Sequence, residues 1–375
     1  MLTDTAERSP APEGSVTHSL AELGIPESYV DAHGTVQVAP AETLTALAAA
    51  VGSGPVTQQP VVCVPGRPCA DLHGELLDAR GQRVTGPAGV GPATGYYELR
   101  TPDGGRRMVI SAPETLPQPA RGWGWAVQLY AARSRDSWGI GDFRDLARIT
   151  KAAADAGASS VLISPVHAAA PVRAQQSSPY SPSSRQWLQL LHVAIEDVPG
   201  ADQVDLSDLA ESAHRLNTVR LIDRNTVWEL KREALERIWE VVRTDLPLEH
   251  DLWMREHAED LNRFATWCVL AETFDSSNWR EWPAEYHHPD GALEFAEEHA
   301  DRVAFYAWAQ WVADLQLGAA CRAGATVVAD IAVGFDSCSA DAWTHQTEVC
   351  FDFEVGCPPD RHNLDGQKWG LPPLN

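Results

Sequence analysis

Phe143, Leu146, Ala147, Thr150 and Ala153 recur at three- and four-residue intervals, which makes one apolar stripe of a helix. Asp142 stands where an N-cap belongs, Asp145 is the third helical residue, and Gly157 ends the run. The period then changes: Ser160-Val161-Leu162-Ile163 is a short apolar run suited to a buried strand. A similar run, Trp123 to Tyr130, precedes the helix, and the loop from Ala131 to Gly141 joins them. Strand, helix and strand with short links predict a βαβ unit with parallel pairing. A long helical stretch, about 207–324, follows; within it Asp223 to Thr244, Asp251 to Phe274 and His299 to Cys321 read as helices. Thr326 to Ile331 then reads as a third parallel strand, with Asp330 near its end. The expectation for residues 119–375 is an α/β fold, a partial (β/α)8 TIM barrel with a helical insertion. Three of its eight strands can be counted before Asn375. Barrel loops at the C-terminal strand ends build active sites. Here they would bring Tyr130 and Asp142, Ser178 to Arg185, and Asp330 to Asp341 onto one rim.

The earlier part of the chain has a different texture. Residues 1–15 are polar and Pro-rich and read as a disordered tail; residues 16–55 read as a short helical segment, with Ser19 to Leu23 and Ala41 to Ala50 in helical spacing. Over 56–118 short apolar runs are broken by Gly and Pro, which predicts a small β-sandwich-like domain. Its strands are expected at Val61 to Val64, Gly74 to Leu77, Tyr96 to Leu99 and Met108 to Ile110, with a hairpin turn at Pro102-Asp103-Gly104-Gly105.

Composition narrows the function classes. The chain has 375 residues, 44% of them hydrophobic and 22% charged, enough to bury a sizeable core in more than one domain. A formal charge of -23 argues against nucleic acid, whose phosphates demand clustered Lys and Arg. The seven cysteines are scattered without a C-x-x-C pair, so neither a disulfide framework nor a zinc cluster is expected, and a reducing cytoplasm fits. The first residues lack a signal-peptide core and no run is apolar enough to span a bilayer. The histidines have no metal-ligand spacing, and no cofactor, metal or membrane partner is expected. Fourteen tryptophans against eight phenylalanines and seven tyrosines is an unusual balance. Trp239, Trp308 and Trp311 fall in helical patterns and read as core, although Trp also suits stacking on sugar rings.

Seven pieces occur in one order: Gln128-Leu129-Tyr130, Ser137 to Phe143, Ser178 to Arg185, Trp308-Ala309-Gln310-Trp311, Asp330 to Gly334, Ala340 to Trp343, and Gly356 to Pro373. Together they resemble the 4-α-glucanotransferases called amylomaltases, or disproportionating enzymes, of the retaining α-amylase-like clan. The resemblance covers about Gly122 to the end, and the segments before it resemble, more weakly, the N-terminal extension of longer bacterial members. It implies transfer of α-1,4-glucan segments between maltooligosaccharides by double displacement. That chemistry needs a nucleophilic carboxylate and an acid/base carboxyl about 5–5.5 Å apart. In the family these lie beyond the position of Asn375, so the resemblance implies no catalytic residue within this chain, which alone would be inactive. Arg133-Ser134-Arg135-Asp136 carries the letters of the family's Arg-x-Asp motif but follows the first strand, so the role is not transferred.

On the resemblance, Asp330 binds hydroxyls of the sugar at the cleavage point; read alone it is equally a loop cap or ion-pair partner. Tyr180 is a ring that stacks on glucose or a packed loop aromatic between two prolines. Trp369, in Gly366-Gln367-Lys368-Trp369-Gly370, resembles an acceptor-side stacking residue. Its flanking glycines admit a ligand or merely allow turns. Gln367 and Arg185 are candidates to bond sugar hydroxyls. The partners implied are α-1,4-glucans and maltooligosaccharides. The alternatives are a maltooligosaccharide-binding protein without catalysis, and an α-glucan hydrolase of the same clan.

Overall fold

A computed structural model describes residues 20, 23–31, 34–51, 59–118 and 120–374. The tail expected at 1–15, and most of the helix expected at Ser19 to Leu23, lie outside the described residues. The chain divides into two compact units, Met1–Arg121 and Gly122–Asn375.

In the first unit β1 (Ser28–Val30) pairs antiparallel with β2 (Val36–Val38), and α1 (Ala41–Val51) follows. Residues 16–55 are therefore not simply helical. The turn between the two strands is fixed by Asp31, whose carboxylate accepts the Thr35 N–H at 2.9 Å and whose own N–H bonds the Thr35 carbonyl at 3.0 Å. β-branched residues on either side favour extension. Next come β3 (Val61–Cys63), β4 (Glu75–Leu77), β5 (Gly95–Arg100) and β6 (Arg106–Ser111), in one sheet of order β3-β6-β5-β4. β3 and β6 run parallel and the other pairs antiparallel. Alternation gives this sheet one buried face, with Val61, Cys63, Leu99 and Val109 in its core, and leaves Val62, Tyr96 and Met108 exposed. Among the described residues, 59–118 thus form a single four-stranded sheet, where the sequence pattern predicts a sandwich.

The second unit opens with β7 (Gly124–Val127), α2 (Phe143–Asp155) and β8 (Ser160–Ile163). Asp142 caps α2: its carboxylate accepts the Asp145 N–H at 2.9 Å while Asp145 accepts the Asp142 N–H at 3.2 Å, a reciprocal box. Phe143, Leu146, Thr150 and Ala153 are buried, as their spacing predicts. A two-residue strand, β9 (His167–Ala168), pairs antiparallel with β10 (Ser184–Leu188). The helical stretch comprises α3 (Ser207–Leu216), α4 (Arg224–Val242), α5 (Leu248–Thr273), α6 (Leu293–Glu298) and α7 (Ala300–Arg322). β11 (Thr326–Ala329) closes a three-stranded parallel sheet of order β11-β8-β7. α8 (Ala340–Thr344) and a hairpin of β12 (Val355–Cys357) and β13 (Gln367–Leu371) complete the unit.

This is an α/β fold in which helices cover one face of the sheet. Val161 and Ile163 of β8 are fully buried on that face, while Leu162 and Val328, paired in register on the other, are exposed. The tryptophans supply much of the core: Trp239 packs on Trp308 with ring centroids 5.5 Å apart, and Trp138, Trp267, Trp308 and Trp343 have almost no exposed surface. Two glutamines tie α7 to the end of β10 and to the segment after it. Gln310 makes a double hydrogen bond with the Leu188 backbone, at 2.8 and 2.9 Å, and Gln316 makes the same pair with Ala194.

Candidate functional site

Two loops meet beyond the C-terminal ends of β8 and β11. Residues 178–185 lead into β10, and residues 330–341 follow β11. They are joined along their length by main-chain bonds: Asp336 N–H to Pro182 O at 3.1 Å and Asp341 N–H to Ser183 O at 3.2 Å. The Asp341 carboxylate accepts the Arg185 N–H at 2.9 Å. The Arg185 guanidinium reaches the other way, donating to the Val333 and Ala332 carbonyls at 3.2 and 3.4 Å, over the Phe335 ring. His167 of β9 adds a link, its Nε2 accepting the Ala332 N–H at 3.3 Å. Burial, and then the positive Arg185, lower the His167 pKa, which keeps the imidazole neutral and its nitrogen free to accept. Arg185 therefore braces a loop with the guanidinium considered above for sugar hydroxyls.

Asp330 stands at the head of this assembly. Its N–H bonds the Ile163 carbonyl at 3.1 Å, which extends the β8–β11 pairing by one residue. One carboxylate oxygen, Oδ2, accepts the Tyr180 hydroxyl at 2.8 Å, and that bond raises the Tyr180 pKa. The other oxygen makes no hydrogen bond among the described residues. Tyr180 is 48% exposed although its hydroxyl is held. Both side chains line an open cleft of about 630 Å³, together with Gln128, Tyr130, Leu162, Ile163 and Ser164. The Tyr130 ring is in turn capped by the Arg224 guanidinium of α4, 5.3 Å from its centroid. Sequence spacing brings Gln128 and Tyr130 into view but gives no signal for Arg224, which arrives from a distant helix.

The interior of the same unit holds ionisable groups, of which the pattern of the chain discloses only Asp142. Lys231 of α4 is fully buried and donates to the Leu191 and Val193 carbonyls, both at 2.7 Å. Burial lowers its pKa to about 8, against the opposing pull of Asp142, Glu196 and Asp145. Asp142 is raised to about 6, again chiefly by burial. His192 shares a 2.8 Å hydrogen bond with the Gly141 carbonyl through Nδ1, and burial lowers its pKa to about 4. Neutral imidazole therefore donates there. Gly141 has no room for a side chain, because a Cβ would overlap the Leu129 carbonyl.

Gly366, Gln367 and Trp369 lie on the β12–β13 hairpin. Gly366 has φ 72°, and a Cβ there would crowd the Cys357 carbonyl at 2.8 Å, so the turn requires glycine. Trp369 is 40% exposed, and its indole N–H donates to the Gln367 carbonyl oxygen Oε1 at 3.0 Å. The hairpin base is tied to the same loop system: Leu371 lies against Gly334, and the Cys350 N–H bonds the Pro373 carbonyl at 2.9 Å. The structure thus brings Tyr180, Asp330 and Arg185 together. Trp369 and Gln367 are not among the residues lining the Tyr180–Asp330 cleft. Asp336 and Asp341 are also braces; Asp336 accepts the Cys338 N–H at 2.7 Å. Among the described residues no cluster of His, Cys, Asp and Glu is placed to hold a metal ion.

Comparison with known proteins bears on the same region. Curated relatives include the 4-alpha-glucanotransferase of Mycobacterium tuberculosis, 38% identical over 313 residues, which span 74% of this chain and 42% of the relative. That of Haemophilus influenzae is 31% identical over 320 residues, 75% of this chain and 46% of the relative. The chain therefore spans rather less than half the length of these two relatives. Among solved structures, amylomaltase from Corynebacterium glutamicum superposes with a TM-score of 0.73 at 25% identity, over 95% of this chain and 60% of that one. Residues 127–375, which hold every element of the cleft except Ala126 at its edge, match the family model described as 4-alpha-glucanotransferase. The chain belongs to the 4-alpha-glucanotransferase family.

Proposed function

We propose that this chain supplies the sugar-holding part of a 4-α-glucanotransferase that moves α-1,4-glucan segments between maltooligosaccharides. The observation that carries the reading is the 2.8 Å bond between Tyr180 and Asp330 at the mouth of the parallel sheet, inside the region matched by the family. A carboxylate with one oxygen held and the other open is oriented to accept hydrogen bonds from sugar hydroxyls. A tyrosine ring fixed at its hydroxyl offers a face to a pyranose at little cost in side-chain entropy. Asp330 thus orients the glucose at the cleavage point and Tyr180 stacks on it. Trp369, Gln367 and Gly366 form an acceptor-side rim that favours a sugar over water as the attacking group. Arg185 acts through the loop it braces.

On this reading the sheet is the first arc of a (β/α)8 barrel, which its parallel order and the helices on one face support. Residues 16–55 and 56–118 form accessory segments before it. The nucleophile and acid/base carboxylates of the retaining displacement are assigned to residues after Asn375. Cysteines that are all free fit a cytoplasmic site of action.

Incubation with maltotriose tests the reading. Saturable quenching of tryptophan fluorescence, lost in Asp330→Asn and Tyr180→Ala, is expected of this chain. Glucose with longer oligomers is expected once the segment bearing the carboxylates is joined to it. Absence of any sugar-dependent change in the purified, folded chain would sink the proposal, and glucose with maltose but no longer products would indicate hydrolysis instead.

A further inference from the structure

A second groove, of about 430 Å³, lies between α5, β10 and α7 and shares no lining residue with the Tyr180–Asp330 cleft. Its wall is aromatic. Trp253 and His257 of α5 are stacked at 4.4 Å, and both meet the edge of Trp187, at 6.3 and 6.1 Å. The wall is fixed in place: the Trp253 indole N–H donates to Asp314 of α7 at 3.0 Å, and His257 Nδ1 is hydrogen-bonded to the Trp253 carbonyl at 2.8 Å. Trp187 is buried and rests in turn on Phe264, with centroids 5.7 Å apart.

Around this wall stand polar groups without partners. The Glu256 and Asp260 carboxylates, one helical turn apart, and the Gln186 amide make no side-chain hydrogen bond or ion pair among the described residues, and all three line the groove. Two like charges at that spacing repel each other mildly, so a ligand that donates hydrogen bonds to both is favoured. A rigid aromatic face edged by planar acceptors matches a pyranose, which has an apolar face of C–H groups and a rim of hydroxyls.

We propose that this groove is a second α-glucan-binding site, which holds a distant part of a long chain while the Tyr180–Asp330 cleft holds its reacting end. The proposal rests on the glucan reading above. Glucose stacks on Trp253 and donates hydroxyl hydrogens to Glu256 and Asp260, while the Gln186 amide contributes a donor. Only a glucan long enough to reach both places at once would gain affinity from their linkage; shorter oligomers occupy the two independently.

Calorimetric titration of the purified chain with maltoheptaose, with spermidine as a cationic control, tests it. Two binding events are expected. Trp253→Ala, and separately the surface variant Glu256→Gln/Asp260→Asn, should weaken one of them by about tenfold or more and leave the other unchanged. The second variant guards against loss of packing around Trp253. Tyr180→Ala/Asp330→Asn should remove the event that the groove variants leave intact. A single event abolished by Tyr180→Ala/Asp330→Asn and untouched by both groove variants would overturn the second site and leave the glucan reading standing. Binding of spermidine to the groove without maltoheptaose would also overturn it. No maltoheptaose binding by the folded chain at all would remove both readings together.

Discussion

The loop pair carrying Tyr180 and Asp330 and the hairpin carrying Trp369 are two ways of presenting an aromatic ring. The first is stitched to its neighbour by two main-chain bonds, by the Asp341 carboxylate, by the Arg185 guanidinium and by the His167 imidazole. Its tyrosine is exposed in area but held at its tip. The hairpin is attached at its base, through Leu371 and Pro373, and among the described residues the Trp369 indole N–H is held by Gln367, two residues away. Cross-braced loops keep a site organised before the ligand arrives, whereas a hairpin held at one end can close over it. On the proposed function, recognition would fall to the first region and adaptation to the second.

That contrast can be tested first at its foundation. Asp142 and His192, both buried in the same unit, oppose each other in acid. The folded pKa of His192 is depressed, so its contribution is present above about 6.5 and is lost as pH falls toward about 4. The folded pKa of Asp142 is raised, so its contribution is fully present below about 3.8 and is lost as pH rises through about 6. Asp142→Asn keeps a good N-cap and removes one side of the balance. Urea midpoints at pH 6.5 and pH 4 should then show the variant losing about 3 kcal/mol more than the parent chain over that interval. Equal losses in both proteins would mean that Asp142 does not titrate in this window.

The next effect in size concerns recognition. Asp330→Asn should weaken maltotriose binding by about ten- to a hundredfold, the worth of hydrogen bonds to a charged acceptor, with the melting temperature little changed. An unchanged affinity would return Asp330 to the role of a loop residue. Arg185→Ala should then cost about 1–2 kcal/mol in chemical denaturation and weaken maltotriose binding through loop disorder. Arg185→Lys should restore little of either, since one ammonium cannot reproduce a planar fork over Phe335. The smallest effect belongs to the hairpin. Trp369→Ala should alter stability by less than about 0.5 kcal/mol, as expected for an exposed side chain, and should act on the use of acceptor sugars instead. A loss of several kcal/mol there would erase the contrast between the two regions.

Local physics accounts for what was legible in the chain. The helix from Phe143, its Asp142 cap, the strand at Ser160 and the core role of Trp239, Trp308 and Trp311 depend on neighbours three or four residues away, or on size and apolarity alone. The β1–β2 pair was less visible, because three-residue strands around Asp31 and Gly34 offer too short an alternation to outweigh nearby helix formers. The sequence displays the donors of Arg185, yet its Nη1 is engaged by the Ala332 and Val333 carbonyls, partners that folding alone brings near. Lys231 lies in a helical stretch where a charge normally marks the wet face, and only the carbonyls of Leu191 and Val193 explain its burial. Tyr180 and Asp330 were found separately; the bond between them belongs to the fold.

The paired amides of Gln310 and Gln316 carry one more consequence. Leu188 and Ala194 are six residues apart, as are the two glutamines, and each amide grips its peptide as a neighbouring strand would. The helix thereby works as a ruler: it fixes the phase of the chain as it leaves the sheet at Leu188, and a one-residue deletion between Leu188 and Ala194 would unfasten one of the two grips.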